Sequence, residues 1–459
     1  MLIEKGTIVT ESTSFQGDIL ISGGKIKEIG EKIEKTSSTT KVIDAGGCFV
    51  FPGAVDVHVH MELPVGPGLC SSDDFESGSR AALAGGTTTI IDFVTPLRGQ
   101  PLPEALAQRK EQARKSLCDY GLHMSITSWN KHTASEMKNC VEKEGITSFK
   151  VYMAYKDTIG LEDRELIPVM DTAAKLGALV AVHCENGDVI KYLQEKFLSQ
   201  GKTSPRFHPL SRPAAVEREA VLRALTLSAA AGCALYIVHV STEGALAEIA
   251  AARLAGQKVL AETCPHYLLL EKKEYLRPDS AAAAYVMSPP LRPKGHGAAL
   301  WQALRDDVLQ VAATDHCPFN RKQASHPDFS KIPNGVAGVE NRLALLYTYG
   351  VLQDKISLNR FVEITASAPA KIFGLYPRKG ALQPGSDADI LIWDPAYEGV
   401  ISAETHLHNC DTNIFEGFPI KGKPRLIIRR GKIAYEKDSV MLKKGAGLYI
   451  PRGAPGLYP

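Results

Sequence analysis

What most limits the fold of this chain is an alternation that fills its middle. Eight strand-like apolar runs, GAVDVHVH, TTTIIDFV, LHMSITSW, SFKVYMAY, LVAVHCEN, LYIVHVS, KVLAETCPHY and LQVAATDHCPF, are separated by helical stretches. DDFESGSRAALAGG and REAVLRALTLSAAAG are two of these, each ending on a glycine placed to cap a helix. Eight strand–helix units match the count of a (β/α)8 barrel, so a closed barrel is expected over an open doubly wound sheet. In such barrels the working side chains sit at the C-terminal ends of the strands.

Both ends of the chain read differently. GTIVTE, GDILISGGKIKEIG and TKVIDAGG at the front, and DADILIWD and PRLIIRRGKIAYE at the back, are short strands with glycine-marked turns. If they pair, the small β module is discontinuous: residues 1–52 and 375–459 form it, and 53–374 form the barrel inserted between them. The alternative is two unrelated β extensions. At 459 residues the chain exceeds one ordinary core, which suits a large barrel plus a smaller module.

Polar residues collect where the barrel needs them. His58 and His60 end the first run, and strand alternation turns both to the same face. Lys150 lies on the fourth run, His183 ends the fifth, His239 the sixth and Asp315 the eighth. Alone, an HxH is a weak signal, either histidine of the later runs could be a hydrogen-bonded core residue, and Asp315 could cap a helix. Together they form an imidazole and carboxylate set suited to a divalent metal, with zinc first and manganese or iron as alternatives.

Lys150 is the misfit in SFKVYMAY, because a buried unpaired ammonium is costly. An edge lysine would bury its stem and reach water with its amine. Among metal ligands another chemistry opens. A neutral amine adds carbon dioxide to give a carbamate, an anionic ligand whose two oxygens can each bind one metal, roughly 3.5–4 Å apart.

Composition narrows the partners. A formal charge of +2, with basic residues spread along the chain, gives no reason to expect nucleic acid. Nine cysteines, an odd number with no CxxC pair, suggest reduced thiols and a cytoplasmic protein. MLIEKGTIVTE lacks the basic-then-apolar order of a secretory signal, and no apolar run reaches membrane-spanning length, so no membrane association is expected.

As a set, VDVHVH, SFKVYMAYK, AVHCENGD, YIVHVST, MSPPLR and ATDHCPF resemble the cyclic amidohydrolase superfamily, most nearly its dihydropyrimidinase and D-hydantoinase branch. The likeness covers nearly the whole chain, including GSDADILIWD. It implies a TIM-like (β/α)8 barrel with a β-sandwich built from both termini, a homotetramer, and hydrolytic opening of a cyclic ureide or imide. It also implies two Zn2+ per subunit, or Mn2+ or another divalent metal in their place. His58, His60, the N6-carboxylated Lys150 and Asp315 would hold one ion, and His183, His239 and the same carbamate the other. Asp315 is implied as the proton shuttle and Tyr155 as the oxyanion stabiliser.

The resemblance further implies that Tyr155, Ser288 and Asn334 contact the substrate, the last two through backbone groups. Read without it, MSPPLR and PNGVAGVEN are Pro/Gly-punctuated turns. Tyr152 and Ile159 stand where D-hydantoinases often carry phenylalanine. Dihydroorotases commonly place an arginine two residues past HxH; here that position is Glu62, so dihydropyrimidine or 5-substituted hydantoin rings are expected over dihydroorotate. Arg292 is the other candidate clamp for a carboxylate. The alternatives are an allantoinase or dihydroorotase, or a non-catalytic dihydropyrimidinase-like scaffold, though scaffolds have lost metal ligands that this chain keeps.

Overall fold

The computed structural model describes residues 1–35, 40–66 and 68–456. All eight runs contain a parallel strand: Ala54–Val59, Thr87–Val94, Asp119–Ser125, Ser148–Tyr152, Leu179–His183, Leu235–Ile237, Val259–Thr263 and Val311–Ala312. They pair in chain order. Val59 bridges His316 in parallel, and the His60 N–H donates to the His316 carbonyl at 2.8 Å, which returns the eighth strand to the first and closes the ring. The first two strands are buried at every position, as strands covered on both faces must be.

The intervening helices start and stop where local chemistry directs. Asp74 caps Phe75–Ala84 by accepting from the N–H groups of Glu76 and Ser77. Ala214–Ala231 ends on Gly232 at φ 66°, where a Cβ would be strained.

Two runs stop being strand earlier than their patterns suggest. The sixth leaves the sheet after Ile237 and the eighth after Ala312. His239 and Asp315 therefore lie on the connections beyond, at φ 41° and 51°, in the left-handed region that side-chain-bearing residues seldom enter. Apolar patterning carries the strand signal, and it does not register a backbone that turns over the barrel mouth.

The chain ends do pair. Leu2–Val9, Ser14–Ser22, Lys25–Gly30, Val42–Asp44 and Phe49–Pro52 join Ile390–Val400, Pro419–Arg429, Lys432–Glu436 and Ser439–Val440 in one nine-stranded sheet. The seam is the antiparallel pairing of Ile390 with Pro52 through Trp393 with Phe49. Ile3, Ile8, Ile19, Ile390 and Ile428 share its core. Buried Lys379 ties this module to the barrel, with its ammonium 2.7 Å from Asp389 and 2.5 Å from Asp119 on the third barrel strand. The segment after the last strand returns to that same strand. The Tyr120 N–H donates to Leu448 O at 2.9 Å, and Arg452 reaches Leu122 O and Ser148 Oγ at 2.6 and 2.8 Å. No helix among the described residues is long and apolar enough to cross a membrane.

Candidate metal centre

Barrel geometry gathers the predicted ligands from five strands. His58 Nε2 and His60 Nε2 lie 3.1 and 3.2 Å from the same Asp315 oxygen. On the other side, His183 Nδ1 faces His239 Nε2 at 2.9 Å. The two groups adjoin, with the His58 and His239 rings 5.5 Å apart between centroids. Lys150 is 1% exposed, and its Nζ has no hydrogen-bond partner among the described residues. That amine lies 5.3 Å from the Phe93 ring and 5.2 Å from the Tyr152 ring. Phe93 in turn packs on His58 and His60 at 4.8 and 4.7 Å, so Lys150 belongs to the same cluster.

The electrostatics suit a cation. Burial pulls the Lys150 ammonium down to about 8, against the pull of Glu262 and Asp315. About a tenth of the amine is then neutral at pH 7, enough to react with carbon dioxide. Burial also lowers His60, His183 and His239, which keeps them neutral with free lone pairs. His58 differs. Burial opposes its charge, but Glu262 and Asp315 flank it and raise it to about 9. Burial likewise opposes the Asp315 carboxylate, yet His58 and His60 hold it well below the usual carboxylate range. The negative charge gathered around His58 is what a divalent ion would balance.

Neighbouring carboxylates fix which ring nitrogen each histidine presents. Glu185 can only accept, so His183 Nε2 carries the proton at 3.0 Å from it and Nδ1 is left for a ligand. Glu262 does the same for His58 at Nδ1, which leaves Nε2 facing Asp315. Tyr236 donates to the second Glu262 oxygen at 2.8 Å, so that carboxylate is held at both ends. Sequence reading missed both acids. Glu262 sits inside the buried run KVLAET, and the argument that singled out Lys150 applies to it equally. We expect Glu262→Gln to weaken divalent-metal affinity roughly 10–100-fold in a chelator competition, with circular dichroism unchanged. Unaltered affinity would mean that Glu262 does not orient His58.

The remaining predicted residues lie on loops that adjoin this cluster or are hydrogen-bonded to its neighbours. Tyr155 lies beyond the fourth strand at φ 58°, its ring 5.4 Å from that of His183. The N–H groups of Thr158, Ile159 and Gly160 all donate to its carbonyl, at 3.0, 3.1 and 2.8 Å, which holds the unusual backbone in place. The buried Arg212 guanidinium stacks on the ring at 5.6 Å and pairs with Glu185. Nothing in the local sequence pattern points to Arg212.

The Ser288 side chain lies beside the Tyr155 phenol. The Gly335 N–H donates to Val286 O at 3.0 Å, joining the Asn334 loop to that of Ser288. The Cys317 N–H donates to Val336 O at 2.9 Å, joining the same loop to the chain just past Asp315. The Asn334 side-chain oxygen is buried and has no hydrogen-bond partner among the described residues.

The two residues weighed as bearing on a carboxylate clamp are both engaged. Glu62 pairs through one oxygen with Lys115, which also holds Asp74. Arg292 is 5% exposed and held through each of its three nitrogens: it donates to Ser241 Oγ at 2.9 Å, to Glu217 at 2.8 Å and to the Arg212 carbonyl.

Comparison with known proteins gives one consistent answer. Residues 49–434 match the amidohydrolase family. The chain is 45% identical to a D-hydantoinase of Geobacillus stearothermophilus, over 99% of this chain and 97% of the relative. It is 41% identical to a dihydropyrimidinase of Rattus norvegicus, over 98% and 88%. The crystal structure of a dihydropyrimidinase from Brevibacillus agri superposes with a TM-score of 0.97 at 43% identity, covering 99% of this chain and 98% of that one.

Proposed function

The chain belongs to the amidohydrolase family, and from that membership we propose that it is a binuclear metal hydrolase that opens dihydropyrimidine or 5-substituted hydantoin rings. The observation that carries the reading is Lys150, a buried amine with no hydrogen-bond partner among the described residues, amid four imidazoles and a carboxylate. Carboxylated, it would join His58, His60 and Asp315 at one zinc and His183 and His239 at the other, with manganese or another divalent ion as the alternative occupant. Two such ions supply Lewis acidity, lowering the pKa of water and polarising the scissile carbonyl.

The protein's own groups do the rest. Asp315 takes the proton of the attacking water and delivers it to the leaving ring nitrogen. The Tyr155 phenol, which burial keeps protonated, donates to the oxygen that gains charge. Backbone groups at Ser288 and Asn334 hold the planar imide edge, and their fixed positions reduce the entropy lost on orienting the ring. A homotetramer, a cytoplasmic location and the division into residues 1–52, 53–374 and 375–459 belong to the same reading.

A neutral ring is favoured because the one arginine singled out as a clamp, Arg292, is buried and held through each of its three nitrogens, by Ser241, the Arg212 carbonyl and Glu217. We expect kcat/KM to be highest for dihydrouracil, hydantoin or phenylhydantoin and low for allantoin and dihydroorotate. Were dihydroorotate or allantoin the best substrate in that panel, the assignment of substrate class would fall.

A further inference from the structure

The segment HLHNC, residues 406–410, follows the long strand Ile390–Val400 and takes no part in ring opening. His406, His408 and Cys410 each bring one donor atom within 4.8 Å of the others. Among the described residues one other group meets that geometry, and it is His58, His60 and Asp315. We propose that His406, His408 and Cys410 form a separate metal site for a thiophilic cation of the Zn2+ and Cd2+ class.

Geometry and donor chemistry agree. His406 Nδ1 and His408 Nδ1 are 3.3 Å apart. Two ligands at about 2.0–2.1 Å from a tetrahedral zinc stand about 3.3 Å from each other. Two imidazoles and a thiolate are the soft nitrogen and sulfur set that zinc and cadmium select over magnesium or calcium. His408 and Cys410 are buried, while half-buried His406 gives access from solvent.

The hydrogen bonds define the change on binding. His406 Nε2 must carry a proton, because it faces the Cys410 carbonyl at 2.8 Å, so its Nδ1 is an acceptor, met at 3.3 Å by His408 Nδ1 and by the Asn413 amide, which a cation would displace. His408 Nε2 accepts from the Glu340 N–H at 3.3 Å, which puts the ring proton on Nδ1. Cation binding moves that proton to Nε2, which gives up the Glu340 N–H for the Glu340 carboxyl 4.0 Å away, and takes the Cys410 thiol proton from Thr412 O to solvent. Burial holds that thiol protonated, up to about 12, until a cation displaces the proton. Asn409 binds Asp73 at 2.8 Å, and Asp73 holds His316 at 3.0 Å next to Asp315, so occupancy braces the rim of the barrel mouth.

The test uses enzyme carrying Cys70→Ser, which removes the exposed thiol, limited to two equivalents of Zn2+ per chain for the barrel mouth and then titrated with Cd2+. One further metal equivalent per chain is expected to survive gel filtration, with a thiolate-to-cadmium charge-transfer absorption. Cys410→Ser should abolish both, and so should His406→Gln, a change at a half-buried position. Failure to retain the extra equivalent, or an absorption of full height in both variants, would overturn the site. This outcome is independent of which ring the enzyme opens.

Discussion

Replacing Lys150 by alanine is expected to strip the barrel mouth of metal and lower kcat/KM by roughly 10³-fold or more. That figure corresponds to the several kcal/mol that a Lewis-acidic centre supplies, at one decade per 1.36 kcal/mol. The substitution removes a side chain 1% exposed at the centre of the ligand cluster, so loss of metal is checked by elemental analysis and retention of fold by circular dichroism. Small carboxylic acids such as acetate or propionate should restore part of both metal and activity, because the space left by the lysine admits an oxygen donor. Full activity in the alanine variant would refute the bridging role.

Tyr155→Phe is expected to cost 10²–10³ in kcat with little change in KM, the signature of a donor used mainly in the transition state. Phenylalanine keeps the ring that stacks under Arg212 and beside His183, and the turn that fixes φ at 58° depends on the backbone carbonyl. The effect therefore isolates the hydroxyl. An unchanged kcat would remove Tyr155 from the chemistry.

Much of this was legible in the sequence because the relevant signals are local. Eight apolar runs announce eight strands, and the HxH of the first strand needs nothing beyond alternation to place both imidazoles on one face. Lys150 was legible as a violation, a charge in a buried strand. What the pattern could not show is contact across the barrel. Glu262 and His58 are far apart in the chain, and only closure of the ring brings them together. The partner of Glu62 was hidden for the same reason: Lys115 comes from beyond the next strand. His239 and Asp315 were found by type and order, but their left-handed backbone is invisible to hydrophobic periodicity.

The central claim is that Lys150 acts as a carbamate between two metals, and it can be observed directly. Apo-protein is reconstituted with zinc in 13C-bicarbonate, freed of excess label and examined by 13C NMR. The account predicts one carbamate resonance per chain in fully active enzyme, absent from Lys150→Ala. Fully active zinc enzyme without that resonance would contradict it.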